Sequence, residues 1–148
     1  MKKLLSFISF LPFALFGWPI DITKDEPFQI VCTFTNEFGS SEETWFIDPK
    51  RNEAFFEYED EEEKLEYYII EVNPKKIVLA DDWVKIMNED GSWKDYRRRY
   101  SAFINRETGK MELKLFHWPL EKGFPPEGEL GIEMPLEGKQ ACQKPTRK

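Results

Sequence analysis

The chain has one histidine and only two cysteines, and that scarcity removes most Cys/His metal sites and most histidine-based catalytic devices at the outset. It also lacks an excess of positive charge. With 28 acidic against 21 basic residues the formal charge is −7, the wrong sign for a nucleic-acid-binding domain. No glycine-rich phosphate loop, dinucleotide fingerprint, nucleophile elbow or HExxH pattern occurs. Beyond the first 17 residues there is no long apolar run, so no membrane association is expected apart from that leader. No segment reads as a good helix. What the chain does have is aromatic bulk: Phe, Trp and Tyr make up 16% of its 148 residues, enough to build the core of one domain.

The leader reads as an export signal. Lys2 and Lys3 precede an apolar stretch over 4–16, interrupted by Ser6, Ser9 and Pro12. A basic start followed by a short apolar core is the secretory pattern, and the stretch is too short to span a bilayer. Residues 1–17 are therefore expected to be a signal peptide, cut after Gly17 or retained as an anchor. Residues 18–148 would then be a single exported domain, periplasmic or secreted. Loss of Lys2 and Lys3 leaves 19 basic against 28 acidic residues and moves the formal charge from −7 to −9. In an exported chain two cysteines most simply pair. A Cys32–Cys142 bond would close a loop of about 110 residues and make the first strand and the C-terminal segment neighbours.

The body alternates with period two. Strands are expected over 29–35, 43–48, 53–58, 65–72, 76–80, 83–88, 93–105 and 110–116. Turn chemistry separates them: Asp48-Pro49, Asn73-Pro74, Asp90-Gly91 and Thr108-Gly109. The expected fold is all-β, a small antiparallel barrel or sandwich of about eight strands with its ends joined by a disulfide. The stretch 119–135, with its glycines and prolines, reads as an irregular arm that wraps the barrel.

Candidate sites are few. The acidic run Glu57, Glu59, Asp60, Glu61, Glu62 and Glu63 lacks the spacing of a calcium loop and reads as a solvated hairpin tip able to steer a basic partner. On a strand over 93–105, Tyr96, Arg98 and Tyr100 share one face, and Arg97 and Arg99 point the other way. If the first set faces inward, the three form a candidate ligand-binding group, and Arg98 needs a carboxylate or a ligand. In the reverse register they are a solvated edge. His117 shows no partner pattern for general-base work and reads as a strand-end or packing residue. The five tryptophans can be core, pocket lining or interaction surface. No catalytic residue, metal ligand or cofactor is assigned. The expected function is non-enzymatic binding of a small ligand or an envelope protein. The alternatives are an enzyme using carboxylates or His117, and a structural envelope component.

Three motifs carry a resemblance: Trp45-Phe46-Ile47-Asp48-Pro49-Lys50, the segment from Tyr100 to Leu113 with Ile104-Asn105-Arg106-Glu107-Thr108-Gly109 at its centre, and Gly138 four residues before Cys142. Together with the early Cys32, this order resembles a class of short exported bacterial and phage proteins of unknown function. In those proteins an early Cys, an I-D strand end, an I-N/D-R-x-T-G hairpin and a final Gly…Cys recur. The resemblance implies a fold and no site. The layout is also loosely similar to the periplasmic inhibitors of C-type lysozyme, which insert a Ser-Gly loop into the lysozyme cleft. Here Gly39-Ser40-Ser41 has the reverse order, so no inhibitory residue is carried over. In the hairpin motif, Asn105 is expected to cap the turn, and Arg106 and Glu107 to form a local surface ion pair of little worth.

Overall fold

A computed structural model describes residues 20–58 and 62–147. The proposed signal segment 1–17 and its cleavage site lie outside them. Eleven strands form one antiparallel sheet: β1 Phe28–Asn36, β2 Gly39–Asp48, β3 Glu53–Tyr58, β4 Lys64–Val72, β5 Lys76–Ala80, β6 Val84–Met87, β7 Trp93–Asn105, β8 Met111–Pro119, β9 Ile132–Met134, β10 Lys139–Cys142 and β11 Thr146–Arg147. The sheet runs β10-β1-β2-β3-β4-β5-β7-β8-β9, with β11 also on β1 and β6 also on β7. It curls into a half-barrel in which β10 approaches β8 across the opening without pairing to it. A single continuous sheet leaves no second layer, so the sandwich alternative does not apply.

All eight expected strands are present. Three of them differ from their expected form, and three further strands appear. β2 begins at Gly39 because Glu37 and Phe38 alone make the turn, and Asn36 pairs with Gly39. β8 continues through Trp118 to Pro119. β6 pairs with β7 but does not separate it from β5. The stretch 119–135, expected to be irregular, contributes β9, and the residues after it, where no strand was expected, contribute β10 and β11.

Four reverse turns share one device. An Asn or Asp at the end of the preceding strand folds its side chain back onto following backbone N–H groups, offering the chain a local partner where the ladder ends. Asn36 Oδ1 accepts from Phe38 N at 2.8 Å, Asp48 from Arg51 N at 3.1 Å, and Asn73 from Lys75 N and Lys76 N, both at 2.9 Å. Asn105 accepts from Glu107 N at 2.9 Å and Thr108 N at 3.0 Å, the cap expected from its motif. Gly109 completes that turn with φ 76°, which an L side chain rarely adopts.

Alternation then sorts the interior into two halves. The lower half is apolar and filled: Phe28, Ile30, Trp45, Ile47, Phe56, Ile77, Leu79, Ala102 and Ile104 form a contiguous buried cluster. Trp45 stacks on Phe56 with centroids 4.5 Å apart and takes the Tyr67 ring edge-on at 4.9 Å. Ile20 and Ile22 of the N-terminal segment pack against this cluster at the same end. The disulfide Cys32–Cys142 lies across the facing register of β1 and β10.

The Arg106–Glu107 surface pair is replaced by something else. Arg106 is 4% exposed. Its Nε donates to Ile22 O at 2.7 Å, one terminal nitrogen donates to Asn73 O at 2.9 Å, and the other pairs with Asp25 at 2.7 Å. One guanidinium thereby ties together the N-terminal segment, the β4–β5 turn and the β7–β8 hairpin, and so closes the lower end.

Candidate functional site at the open end

The upper half of the interior is polar. The alternation that buries Ala102 and Ile104 carries Tyr100, Arg98 and Tyr96 up the same inner face of β7. Their sharing a face is the inward register considered from sequence, but they do not form one cluster. Tyr100 packs on the margin of the core. Arg98 is half-buried, with its guanidinium 5.2 Å above the Tyr100 ring. It forms no ion pair and no side-chain hydrogen bond among the described residues. Tyr96 stands apart, stacked on His117 at 3.8 Å between centroids and 15° between planes. His117 is thus a packing partner, as its sequence context suggested.

Sequence reading missed the acids of this interior. Glu43 precedes Trp45 and Ile47 in the inward phase of β2 and is 5% exposed. Its Oε1 accepts from Gln140 Nε2 at 3.2 Å and Trp45 Nε1 at 3.4 Å. Burial pushes its carboxyl up, against the pull of those two hydrogen bonds. Asp81 extends the inward phase of Ile77 and Leu79. Its Oδ1 accepts from Tyr100 N at 2.8 Å. Burial raises it to about 6, opposed by that backbone bond and by the Arg99 and Arg98 cations. Tyr67 is pushed up by burial and then by the charges of Asp81 and Glu43, which places it in the field of both. A charged residue in the apolar phase of a strand is the sequence signal that could have found Glu43 and Asp81.

Arg97 and Arg99 point outward as expected, and they hold the arm. Arg97 donates to Gly123 O at 3.2 Å and lies 4.9 Å over the Phe124 ring. Arg99 donates to Asp81 O at 2.9 Å and Glu129 O at 3.4 Å, and covers the Trp83 ring at 4.8 Å. Gly131 makes the closest approach, since a Cβ there would sit 2.7 Å from both Trp83 and the His117 carbonyl. The arm expected from the composition of 119–135 therefore covers the outer face of β7 and β8. Among the other tryptophans Trp45 is core, Trp93 is 53% exposed, and Trp18 lies outside the described residues.

A groove of about 360 Å3 opens between the upper ends of β7, β8 and β9. It is lined by the Tyr96–His117 stack, by Ile132 and Met134, and by the carboxyl residues Asp95 and Glu121. Desolvation, then the Arg98 and Lys94 charges, push the His117 imidazole down, which favours its neutral form at pH 7. No group of three or more His, Cys, Asp or Glu side chains suited to a metal ion occurs among the described residues. Part of the acidic run, 59–61, lies outside them.

The site therefore belongs to a half-open, disulfide-closed antiparallel barrel whose interior is filled at one end and polar at the other. Comparison of the chain with protein-family models, with curated proteins and with solved structures finds no match.

One consequence is measurable without a ligand. Asp81 titrates near 6 when folded and near its ordinary 3.8 when unfolded, so the folded protein takes up this proton first as pH falls. The ionised carboxylate thus destabilises the fold at pH 7, and this penalty is relieved between about pH 6 and pH 4. At about 1.4 kcal/mol per pKa unit, less some solvent screening, the effect is about 2 kcal/mol. Asp81→Asn keeps an oxygen to accept from Tyr100 N. Denaturant unfolding should show the variant gaining on the wild type by about that amount between pH 4 and pH 7. Parallel stability curves would show that Asp81 carries no such penalty.

Proposed function

We propose that this chain is an exported, non-enzymatic binding protein that receives its ligand at the open end of the half-barrel. The observation that carries this reading is Arg98: an inward-facing cation, between Tyr96 and Tyr100 on its strand, with no counter-ion bound to it among the described residues. A fold selected for stability alone gains little from this arrangement, because half-buried charge and polar groups cost desolvation. Export is supported by the basic and apolar leader and by the disulfide, which persists in oxidising compartments.

Affinity capture from the native envelope tests the reading. Wild-type protein should retain a partner that Arg98→Ala and Tyr96→Ala lose and that Lys50→Ala, at the closed end, keeps. Equal retention by all four proteins would place binding elsewhere. The enzyme alternative is favoured by one observation, a carboxyl at Asp81 poised to exchange a proton near neutral pH. Under that reading a captured small molecule is chemically changed by wild type and unchanged by Asp81→Asn.

A further inference from the structure

We propose that the open end docks a basic polypeptide, and that the groove between β7, β8 and β9 takes one of its Arg or Lys side chains. This deepens the binding reading above and rests on it, with Arg98 left to donate to a carbonyl or carboxylate oxygen of the same polypeptide.

The first support is how charge is balanced along the barrel. Three of the ion pairs among the described residues lie at the closed end: Arg106–Asp25, Arg147–Glu26 and Lys76–Glu71. A fourth, Lys114–Glu133, lies on the outer flank of β8 and β9. At the open end Glu37, Glu62, Glu63, Glu89, Asp95 and Glu121 occupy the turns and strand ends, and none of them is in an ion pair among the described residues. At the closed end Asp48, Glu53 and Glu107 are also outside ion pairs among the described residues, but Lys50, Arg51, Lys75, Lys110 and Lys144 share that end with them, so the excess of acid falls at the open end. Such a field attracts and orients a cationic partner.

The second support is where the local cations go instead. Lys85 lies over Trp93 at 5.6 Å, Arg97 over Phe124 at 4.9 Å, Arg98 over Tyr100 at 5.2 Å and Lys122 over Trp118 at 5.4 Å. Aromatic faces at this end already bind cations, and none of these four cations is in an ion pair among the described residues. No Lys or Arg lies over the Tyr96 ring among the described residues.

The third support is the groove itself. Its volume of about 360 Å3 falls at the small end of ligand pockets. Ile132 and Met134 offer an apolar bed for an aliphatic stem, and the Tyr96–His117 stack offers an aromatic face for the charged head. Asp95 and Glu121 supply carboxylates for charge-assisted hydrogen bonds. Around the same rim Phe38 is 89% exposed, Phe124 68% and Trp93 53%, aromatic anchors of the kind that carry protein interfaces.

The test uses the disulfide-intact protein and a tetra-arginine peptide, with tetra-alanine, tetra-glutamate and spermine as comparison probes. Calorimetry and NMR should show tetra-arginine binding at about 0.15 M salt with shifts at Tyr96 and His117. The double variant Asp95→Asn, Glu121→Gln should weaken binding by about tenfold or more. Glu53→Gln, at the closed end, should change it by less than about twofold. Tyr96→Leu should remove the groove contribution, and an unchanged circular dichroism spectrum would show that the fold persists. Absence of binding, equal losses in the groove and closed-end variants, or spermine binding as tightly as the peptide would each overturn the proposal. If the peptide fails and Arg98→Ala still abolishes envelope capture, the binding reading stands and the basic-partner assignment falls. If both fail, the open end is not the binding site.

Discussion

Replacing Cys32 and Cys142 together by alanine is expected to destabilise the fold by about 3–5 kcal/mol. The bond spans 110 residues, and in the chain-entropy account a loop of ~100 residues is worth about 4.7 kcal/mol. Structure adds a second cost. Cys32 is 1% exposed within the core, so its truncation also loses packing. The bond also fixes the register in which β10 pairs with β1, and Gln143 N donates to Val31 O at 2.8 Å just beyond it. Without the bond β10 and β11 become free to fray from the outer edge of β1. Alanine is the appropriate replacement, because a buried serine hydroxyl would add its own desolvation cost. Denaturant unfolding of the oxidised protein and the double variant measures the loss, and hydrogen exchange at Gln143 should rise well before global unfolding. A loss below about 1 kcal/mol would show that sheet pairing alone holds the C-terminal strands. Thiol titration of the protein should find no free sulfhydryl, in line with the pairing of its two cysteines.

Arg106→Ala should cost as much, about 3–5 kcal/mol, the range for removing one member of a buried charged network. Most of that belongs to two carbonyls. Ile22 O and Asn73 O each lose a charged donor, whereas the Asp25 carboxylate is 59% exposed and falls back on water. Asp25→Asn should therefore cost less than about 1 kcal/mol. Arg106→Lys should recover little, because one ammonium cannot point in the three directions that the planar guanidinium serves. A second readout separates this role from general weakening. Loss of Arg106 releases the segment through Lys24, and trypsin should cleave after Lys24 faster than it degrades the barrel. Wild-type cleavage kinetics in Arg106→Ala would show that Ile20 and Ile22 hold the segment by themselves.

The contrast between Arg106 and its hairpin neighbours shows what kind of information a single sequence holds. Asn105 capping the turn and Gly109 taking positive φ are contacts within five residues, and their residue types announce them. Arg106 occupies the same motif, but its partners are 84, 81 and 33 residues away. Nothing local distinguishes it from a solvated arginine. The same holds for Glu43 and Asp81, whose inward phase was readable and whose burial was not. Burial of Glu43 depends on Gln140 arriving from β10, 97 residues on.

By itself the sequence determined eight of the strands, which residues of each share a face, the turn chemistry and the pairing of two cysteines, because alternation, Asx turns and the scarcity of cysteine act over short range or by count. It also determined that Tyr96, Arg98 and Tyr100 share a face. Only the tertiary structure decided that β5 pairs with β7, that the sheet stops half-closed, and that the last third adds strands to both edges. It alone filled one end of the interior and left polar groups facing the other. Those outcomes depend on which distant edges find each other, and backbone hydrogen bonding between strands is indifferent to the residues that carry it.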